Sequence, residues 1–446
     1  MGRGTPRSRT PRASEYGGKR LNDLALASLI FSVTYLLIIS ERIHKTTAAL
    51  AGGVAMIAFR VLDQEEAFAF IDFNVIFLLI GMMIIANTLG KTGAFQWLAI
   101  RGAKAAKGDP IRILLFMAVI TAVASAFLDN VTTVVLMAPL SLFVASILQV
   151  NPVPFLLTLI MASNVGGTGT LIGDPPNIII GSGADLDFID FLVHLGPVVL
   201  LILAVFLVLV FFLFRHQLQT RPELEHRIME LDESEVLTDH SLLYKSLIIL
   251  ALVAIGFLLH GSLDYEPATV ALAGAVALIL IGRQHPREAL LEVEWPTIFF
   301  FVGLFMVVGG AEEVGLLEDI GERLADASGG HVEAAAMLTL WSTGILSSIV
   351  NQIPYAAAMI PVLDQTSRDL ALGHGAANPL WWALALGAGL GANFTPVAAA
   401  ANVYVIGVAE RAGYRVTFIQ FLRYSVLVTM VSLLIATAYV WLRYLL

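Results

Sequence analysis

The apolar residues of this chain fall in long runs, and four of those runs are broken near the middle by Asn, Asp, Gly or Pro. A bilayer core of about 30 Å takes about 20 apolar residues in a helix. Inside it, every backbone polar group has to find a partner within the protein. Unbroken runs cover 24–40, 46–62, 73–89, 192–214, 244–260, 267–281, 296–310 and 421–445; the broken ones are 111–148, 153–181, 334–362 and 379–408. The pattern predicts an all-α polytopic membrane protein. Composition agrees: 58% of the 446 residues are hydrophobic and 14% are charged, against roughly 25% charged in soluble domains. A soluble enzyme and a disordered scaffold are excluded. Cysteine is absent, which removes disulfides, thiol nucleophiles and thiolate metal sites.

Residues 1–20 are polar and carry Arg3, Arg7, Arg9, Arg12, Lys19 and Arg20; they read as a disordered basic tail, with no small-x-small cleavage site after the first apolar run. The charged stretch 215–243 reads as a central loop between two halves that resemble each other. Asp72 opens DFNVIFLLIG and Glu294 opens EWPTIFFFVG; Gly81 and Gly93 answer Gly303 and Gly315; Leu128-Asp-Asn130 answers Ile349-Val-Asn351; Gly166 and Asn177 answer Gly391 and Asn402; FIDFL at 188–192 answers FIQFL at 418–422. Five matches in one order argue for duplication. Duplicated halves with helices interrupted at matching positions are the sequence signature of a secondary transporter.

The first repeat is read as 21–214: scaffold helices 24–89, a re-entrant hairpin 111–148, a broken helix 153–183 and a helix 192–214. The second is read as 244–446: scaffold helices 244–310, hairpin 334–362, broken helix 379–408 and helix 421–445. Hairpins that do not cross leave five crossings per half, and an odd number inverts the second half. With the loop 91–112 in the cytoplasm, 16 Lys and Arg outside the tail fall on that side and 4 (Arg60, Arg323, Arg368, Arg443) on the other. That is a strong positive-inside bias, although the basic tail runs against it. The placement is a multi-pass protein of the inner (plasma) membrane.

The broken segments are the candidate site. FLDNVTT at 127–133 sets Asp129, Asn130, Thr132 and Thr133 in an apolar run, at a hairpin tip where free backbone N–H groups open the returning helix. Taken alone, Asp129 is equally an ordinary N-cap. SNVGGTGTLIGDPPN at 163–177 holds four glycines and two prolines and cannot be a continuous helix; Asn164, Gly167, Thr168, Asp174 and Asn177 stand out in it. The second half supplies Asn351, Gln352, Asn393 and Thr395. Only the first half carries carboxylates, and no Lys or Arg lies at the centre of any of the four segments. A neutral solute or a cation suits such a pocket better than a polyanion. Asp129 and Asp174 are natural proton or cation carriers, since desolvation penalises a bare carboxylate.

These motifs resemble the arsenite-permease (ArsB)/NhaD/P-protein family of the ion transporter superfamily. The resemblance covers nearly the whole chain after residue 20, with GDPPN following the glycine pair its most specific part. It implies a scaffold domain and a moving, elevator-like transport domain of two opposed hairpins and two unwound helices. It also implies a homodimer, and in some members a separate ATPase subunit. Family solutes include arsenite and antimonite, sodium exchanged for protons, and chloride. Asp129-Asn130 reverses the Asn-Asp order of arsenite permeases and sits closer to the P-protein branch.

The leading functional expectation is arsenite or antimonite efflux by proton antiport. Asn130, Thr132, Thr133, Asn164, Gly167, Thr168, Asn177, Asn351, Gln352, Asn393 and Thr395 would bind the solute, and Asp129 and Asp174 would couple it to H⁺. Na⁺/H⁺ antiport is the first alternative and an anion or dicarboxylate carrier the second. The partners expected are a small inorganic solute with H⁺ or Na⁺ and the lipid bilayer, with no nucleic acid and no cofactor. The nine histidines show no metal-ligand spacing, and no phosphate-binding glycine loop is present, so enzyme chemistry is not expected.

Overall fold

A computed structural model describes residues 17–40, 42–233, 235–263 and 265–446; the basic tail up to residue 16 lies outside the described residues. Every regular element among the described residues is helical. The first half runs α1 (Gly17–Ser40), α2 (Lys45–Ala58), α3 (Gln64–Ala69), α4 (Phe73–Lys91), α5 (Ala94–Ala105), α6 (Pro110–Phe127), α7 (Asn130–Leu148), α8 (Val153–Gly167), α9 (Pro175–Gly183), α10 (Phe188–His194) and α11 (Gly196–Phe214). The central linker holds one short helix, α12 (Pro222–Met229). The second half runs α13 (His240–Leu263), α14 (Pro267–Gly282), α15 (Pro286–Leu291), α16 (Trp295–Glu313), α17 (Leu316–Ala327), α18 (Val332–Val350), α19 (Gln352–Asp369), α20 (Pro379–Gly391), α21 (Ala400–Arg411) and α22 (Phe418–Val440).

The succession of the first half returns in the second. Helices α4 and α16 are both 19 residues long. Helices α5 and α17 are both 12 long, and each is opened by a left-handed glycine, Gly93 at φ 82° and Gly315 at φ 84°. Helices α7 and α19 each contain a proline, Pro139 and Pro361. Packing crosses between the halves: α2 lies along α16, and α14 lies along α4. The contacts are reciprocal. A Cβ on Gly81 would meet the backbone of Ala271, and a Cβ on Gly303 would meet the backbone of Ala49, both under 3.0 Å. With no room for a side chain at either crossing, each half closes on the other through bare backbone.

Nine helices among the described residues are long and apolar enough to span a membrane. Helices α2 and α14, expected as crossings, have 14 and 16 residues, or about 21–24 Å of rise. Both are shorter than a full span; each buries one face in the bundle and leaves the other exposed. The segments read as re-entrant are helix–tip–helix hairpins, and α6, α7 and α18 are each long enough to cross.

Three expectations are corrected. The helix read as 192–214 begins at Gly196, and α10 is separate from it. Pro197 has no N–H to give the carbonyl of Val193; Arg443 donates to that oxygen at 3.0 Å, and Tyr439 donates to the neighbouring carbonyl of His194 at 2.7 Å. The central segment is not simply a loop. Besides α12, it is strapped to the first half by Glu233, which pairs with Arg101 and Lys104, and by Thr238 N–H on the Thr92 carbonyl at 3.1 Å. Lys104 and Arg101 hold the half-buried Glu233 carboxyl below its ordinary range. Finally, the hairpin tips match one residue out of the expected register: Asp129 caps α7 as Asn351 caps α19, so Asn130 answers Gln352.

Gly81→Val and Gly303→Val are each expected to cost about 1–3 kcal/mol through overpacking, read as a lower melting temperature in detergent. Gly373→Ala, with nothing within 4 Å, should leave melting unchanged. Unequal losses at the two crossings would count against equivalent packing.

Candidate functional site

The two helix breaks are built alike. Helix α8 stops at Gly167 and α9 begins at Pro175; α20 stops at Gly391 and α21 begins at Ala400. Pro175 and Pro176 follow the first break and lack donors, so the chain cannot wind through it. In the first break, Asn177 Nδ2 donates to the carbonyls of Thr168 at 3.1 Å and Thr170 at 2.8 Å. In the second, Asn402 Nδ2 donates to Ala392 at 2.7 Å and Thr395 at 2.9 Å. The hydroxyls of Thr170 and Thr395 bond the carbonyls of Ala126 and Ser348, on the ends of α6 and α18. Each unwound loop is therefore held at both edges. Gly166 and Gly391 bring the breaks against the hairpins, since a Cβ on either would strike the carbonyl of Ala122 or Gly344.

The hairpin tips meet between these loops. Asp129 caps α7: its Oδ1 accepts from Thr132 N–H at 2.9 Å and its Oδ2 accepts from the Thr132 hydroxyl. Asn130 Nδ2 donates to Asp174 Oδ1 at 3.0 Å, and Gln352 Nε2 donates to the same oxygen at 2.9 Å. Equivalent amides of the two hairpins thus grip one carboxylate oxygen, while Asp174 Oδ2 and Gln352 Oε1 are buried without a hydrogen-bond partner. Asp174 is fully buried, and Asp129 is 6% exposed. Behind them, Asn164 Nδ2 donates to Asn393 Oδ1 at 2.9 Å and Asn402 Oδ1 at 3.0 Å, joining the two breaks.

Of the residues expected at the site, Asp129, Asn130, Thr132, Asn164, Asp174, Gln352 and Asn393 come together in this network. Thr133 lies buried on α7 beside it, its hydroxyl without a partner. Asn177 spends its amide on the first break, Thr168 gives its hydroxyl to the Asn164 carbonyl on α8, and Thr395 gives its hydroxyl to the Ser348 carbonyl on α18. Gly167 provides close approach to the Gly173 carbonyl. Asn351 takes a left-handed turn at φ 83°, a strained conformation for a residue with a side chain, and faces an open cavity of about 480 Å³ lined also by His44, Lys45, Glu294 and Tyr404. A smaller cavity shares Lys45, Val131 and Glu294 with it and is lined also by Asp129, Asn130 and Gln352. Lys45 and Glu294 escape a reading confined to the four broken segments, because they sit at the starts of α2 and α16. The signal for Glu294 was its alignment with Asp72.

The comparisons with known proteins agree with this architecture. The family model for CitMHS, described as citrate transporter, matches residues 35–387. A 46 kDa membrane protein of Mycobacterium leprae is 41% identical over 424 residues, covering 94% of this chain and 99% of that one. The human P protein is 30% identical over 498 residues; the match takes in 93% of this chain and 59% of that protein's length. Among solved structures, the YdaH transporter of Alcanivorax borkumensis superposes with a TM-score of 0.59 at 14% identity, over 94% of this chain and 98% of that one, a likeness of fold. With a bundle of membrane-length helices around a buried polar centre, a matching family model and a mycobacterial relative aligned over nearly its whole length, the chain is a membrane transporter that belongs to the CitMHS family of the ion transporter superfamily.

Proposed function

We propose that the chain is a proton-coupled antiporter whose site takes a small uncharged polyhydroxy solute, the trihydroxide of arsenic or antimony, and exports it in exchange for H⁺ across the plasma membrane. The observation that carries this reading is Asp174. It is buried, held on one oxygen by two neutral amides, and left open on the other. Keeping an unpaired carboxylate ionised away from water is costly, so such a group exchanges a proton or a cation as the site opens and closes. Around it stand amides and hydroxyls, which suit a ligand that both donates and accepts hydrogen bonds. Without cysteine, an arsenic solute would be held through oxygen and nitrogen alone.

A second reading is Na⁺/H⁺ antiport. The two unpartnered oxygens, Asp174 Oδ2 and Gln352 Oε1, are hard ligands of the kind a sodium ion takes. Free citrate, which the family description names, fits less well. Asp129 and Glu294 line the inner cavity against a single basic residue, Lys45, with Asp174 beside it.

In everted vesicles, a pH gradient is expected to drive uptake of arsenite or antimonite. Uptake of sodium alone, seen by dequenching of a pH dye in arsenic-free proteoliposomes, selects the second reading, and citrate uptake would replace both. Asp129→Asn and Asp174→Asn should each lower the driven rate by at least about tenfold, a barrier change of about 1.4 kcal/mol. Unchanged rates would remove the carboxylates from the coupling.

Asn130→Ala and Gln352→Ala each delete one donor to the same charged oxygen, worth about 1.5–3 kcal/mol. Both should weaken transport by a similar factor, on the order of ten or more, read from the concentration dependence of uptake. A loss confined to one of them would mean that the hairpins do not share the site.

A further inference from the structure

Asp72 and Glu294 occupy the same place in the two halves, one residue before α4 and α16, yet their carboxylates do different things. Asp72 caps its helix, accepting from Asn74 N–H at 2.9 Å and Val75 N–H at 3.2 Å, and it also accepts from the Ser182 hydroxyl on α9. Glu294 makes no side-chain cap. The reason is local. Pro296 stands where the capping N–H would be, and Thr297 N–H goes to the Glu294 backbone carbonyl at 2.9 Å. One Glu294 oxygen accepts from the Thr297 hydroxyl in the first turn at 3.2 Å, and the half-buried carboxylate caps no backbone N–H of the helix.

That carboxylate stands at the junction of two cavities. On one side it lines the open vestibule with His44, Lys45, Asn351 and Tyr404. On the other it lines a small cavity of about 20 Å³, shared with Lys45, Asp129, Asn130 and Gln352. A water needs roughly 10–15 Å³ of such space and two to four polar partners, so this cavity, lined by both Glu294 and Asp129, has room for about one water. Glu294 also lies within electrostatic reach of both Asp129 and Lys45. Asp129 itself is 6% exposed and lines the small cavity together with Glu294.

We infer that Glu294 is the proton-entry residue of the transporter: it takes a proton from the vestibule and passes it through one water to Asp129, returning to its ionised form as Asp129 becomes neutral. The inference rests on the proton-coupled reading above and adds the route to it. Glu294 belongs to the scaffold side of the junction and Asp129 to a hairpin tip, so the relay is made only while the two face each other. Lys45 at the start of α2, His44 just before it, Tyr404 from α21 and Asp129 are the charged and titratable groups around it, with Lys45 acting against the repulsion from Asp129.

The test compares two assays in the same everted vesicles, with arsenite, antimonite and sodium as probes. One is uptake driven by a pH gradient. The other is exchange of labelled for unlabelled probe at equal pH, which needs no net proton movement. Glu294→Gln should lower driven uptake by on the order of tenfold or more and move its pH profile, while exchange stays within about twofold of wild type. Glu294→Asp, which keeps the acid, should restore most of the driven rate. Driven uptake at the wild-type level in Glu294→Gln overturns the relay. Parallel loss of uptake and exchange that Glu294→Asp does not repair also overturns it, since that is the mark of a structural role. A pH gradient that moves none of the three probes in wild-type vesicles overturns proton coupling itself, whereas the other outcomes leave that reading standing.

Discussion

A helix that stops in the middle of a membrane exposes backbone groups that lipid cannot satisfy. Two asparagine side chains meet most of that demand here. Asn177 and Asn402 each turn one amide nitrogen onto two carbonyls of the unwound loop before them. Everything else at the centre is arranged around loops made affordable in this way. The glycines let the loops touch the hairpins, the threonines tie them to the hairpin arms, and Asn164 links one loop to the other through Asn393 and Asn402.

On this nearly symmetric frame the charge is one-sided. The position that holds Asp129 in the first half holds Asn351 in the second, and Asp174 is answered by Ala399. Asp174 is nevertheless gripped by both halves, through Asn130 and Gln352. The two halves thus offer equivalent amides to a single carboxylate. The same drift separates Asp72 from Glu294, where one proline decides whether the acid caps a helix or faces a cavity.

Much of this was legible in the sequence, for physical reasons. Apolar runs, and polar or glycine-rich interruptions within them, are local and costly in lipid, so they announce themselves; the hairpin tips, both breaks and the duplication all follow. The break before α11 was also readable, since Pro197 leaves the Val193 carbonyl without a donor. What composition cannot carry is pairing across the chain. That Arg443 serves that carbonyl, that two hairpins meet on one oxygen, and that Lys45 and Glu294 approach Asp129 from other helices are all tertiary facts. The short helices α3, α5, α10, α12, α15 and α17 are too brief or too amphipathic to stand out among membrane-length runs. The tips were misaligned by one residue because an Asn–Asn match outweighed the helix caps, which only a structure displays.

The crossing of Gly81 with Ala271, and of Gly303 with Ala49, also bears on how the protein is made. Helix α2 emerges from the ribosome long before the surface that receives it exists. At about 5–20 residues per second, the wait for α16 is on the order of tens of seconds. During that time the first half cannot complete its packing, and its small-residue faces must be held by lipid, by the insertion machinery or by a chaperone. The reciprocal contact that makes the two halves equivalent in the finished molecule thus makes the first half a dependent intermediate during synthesis, one that becomes a transporter only when its own likeness arrives.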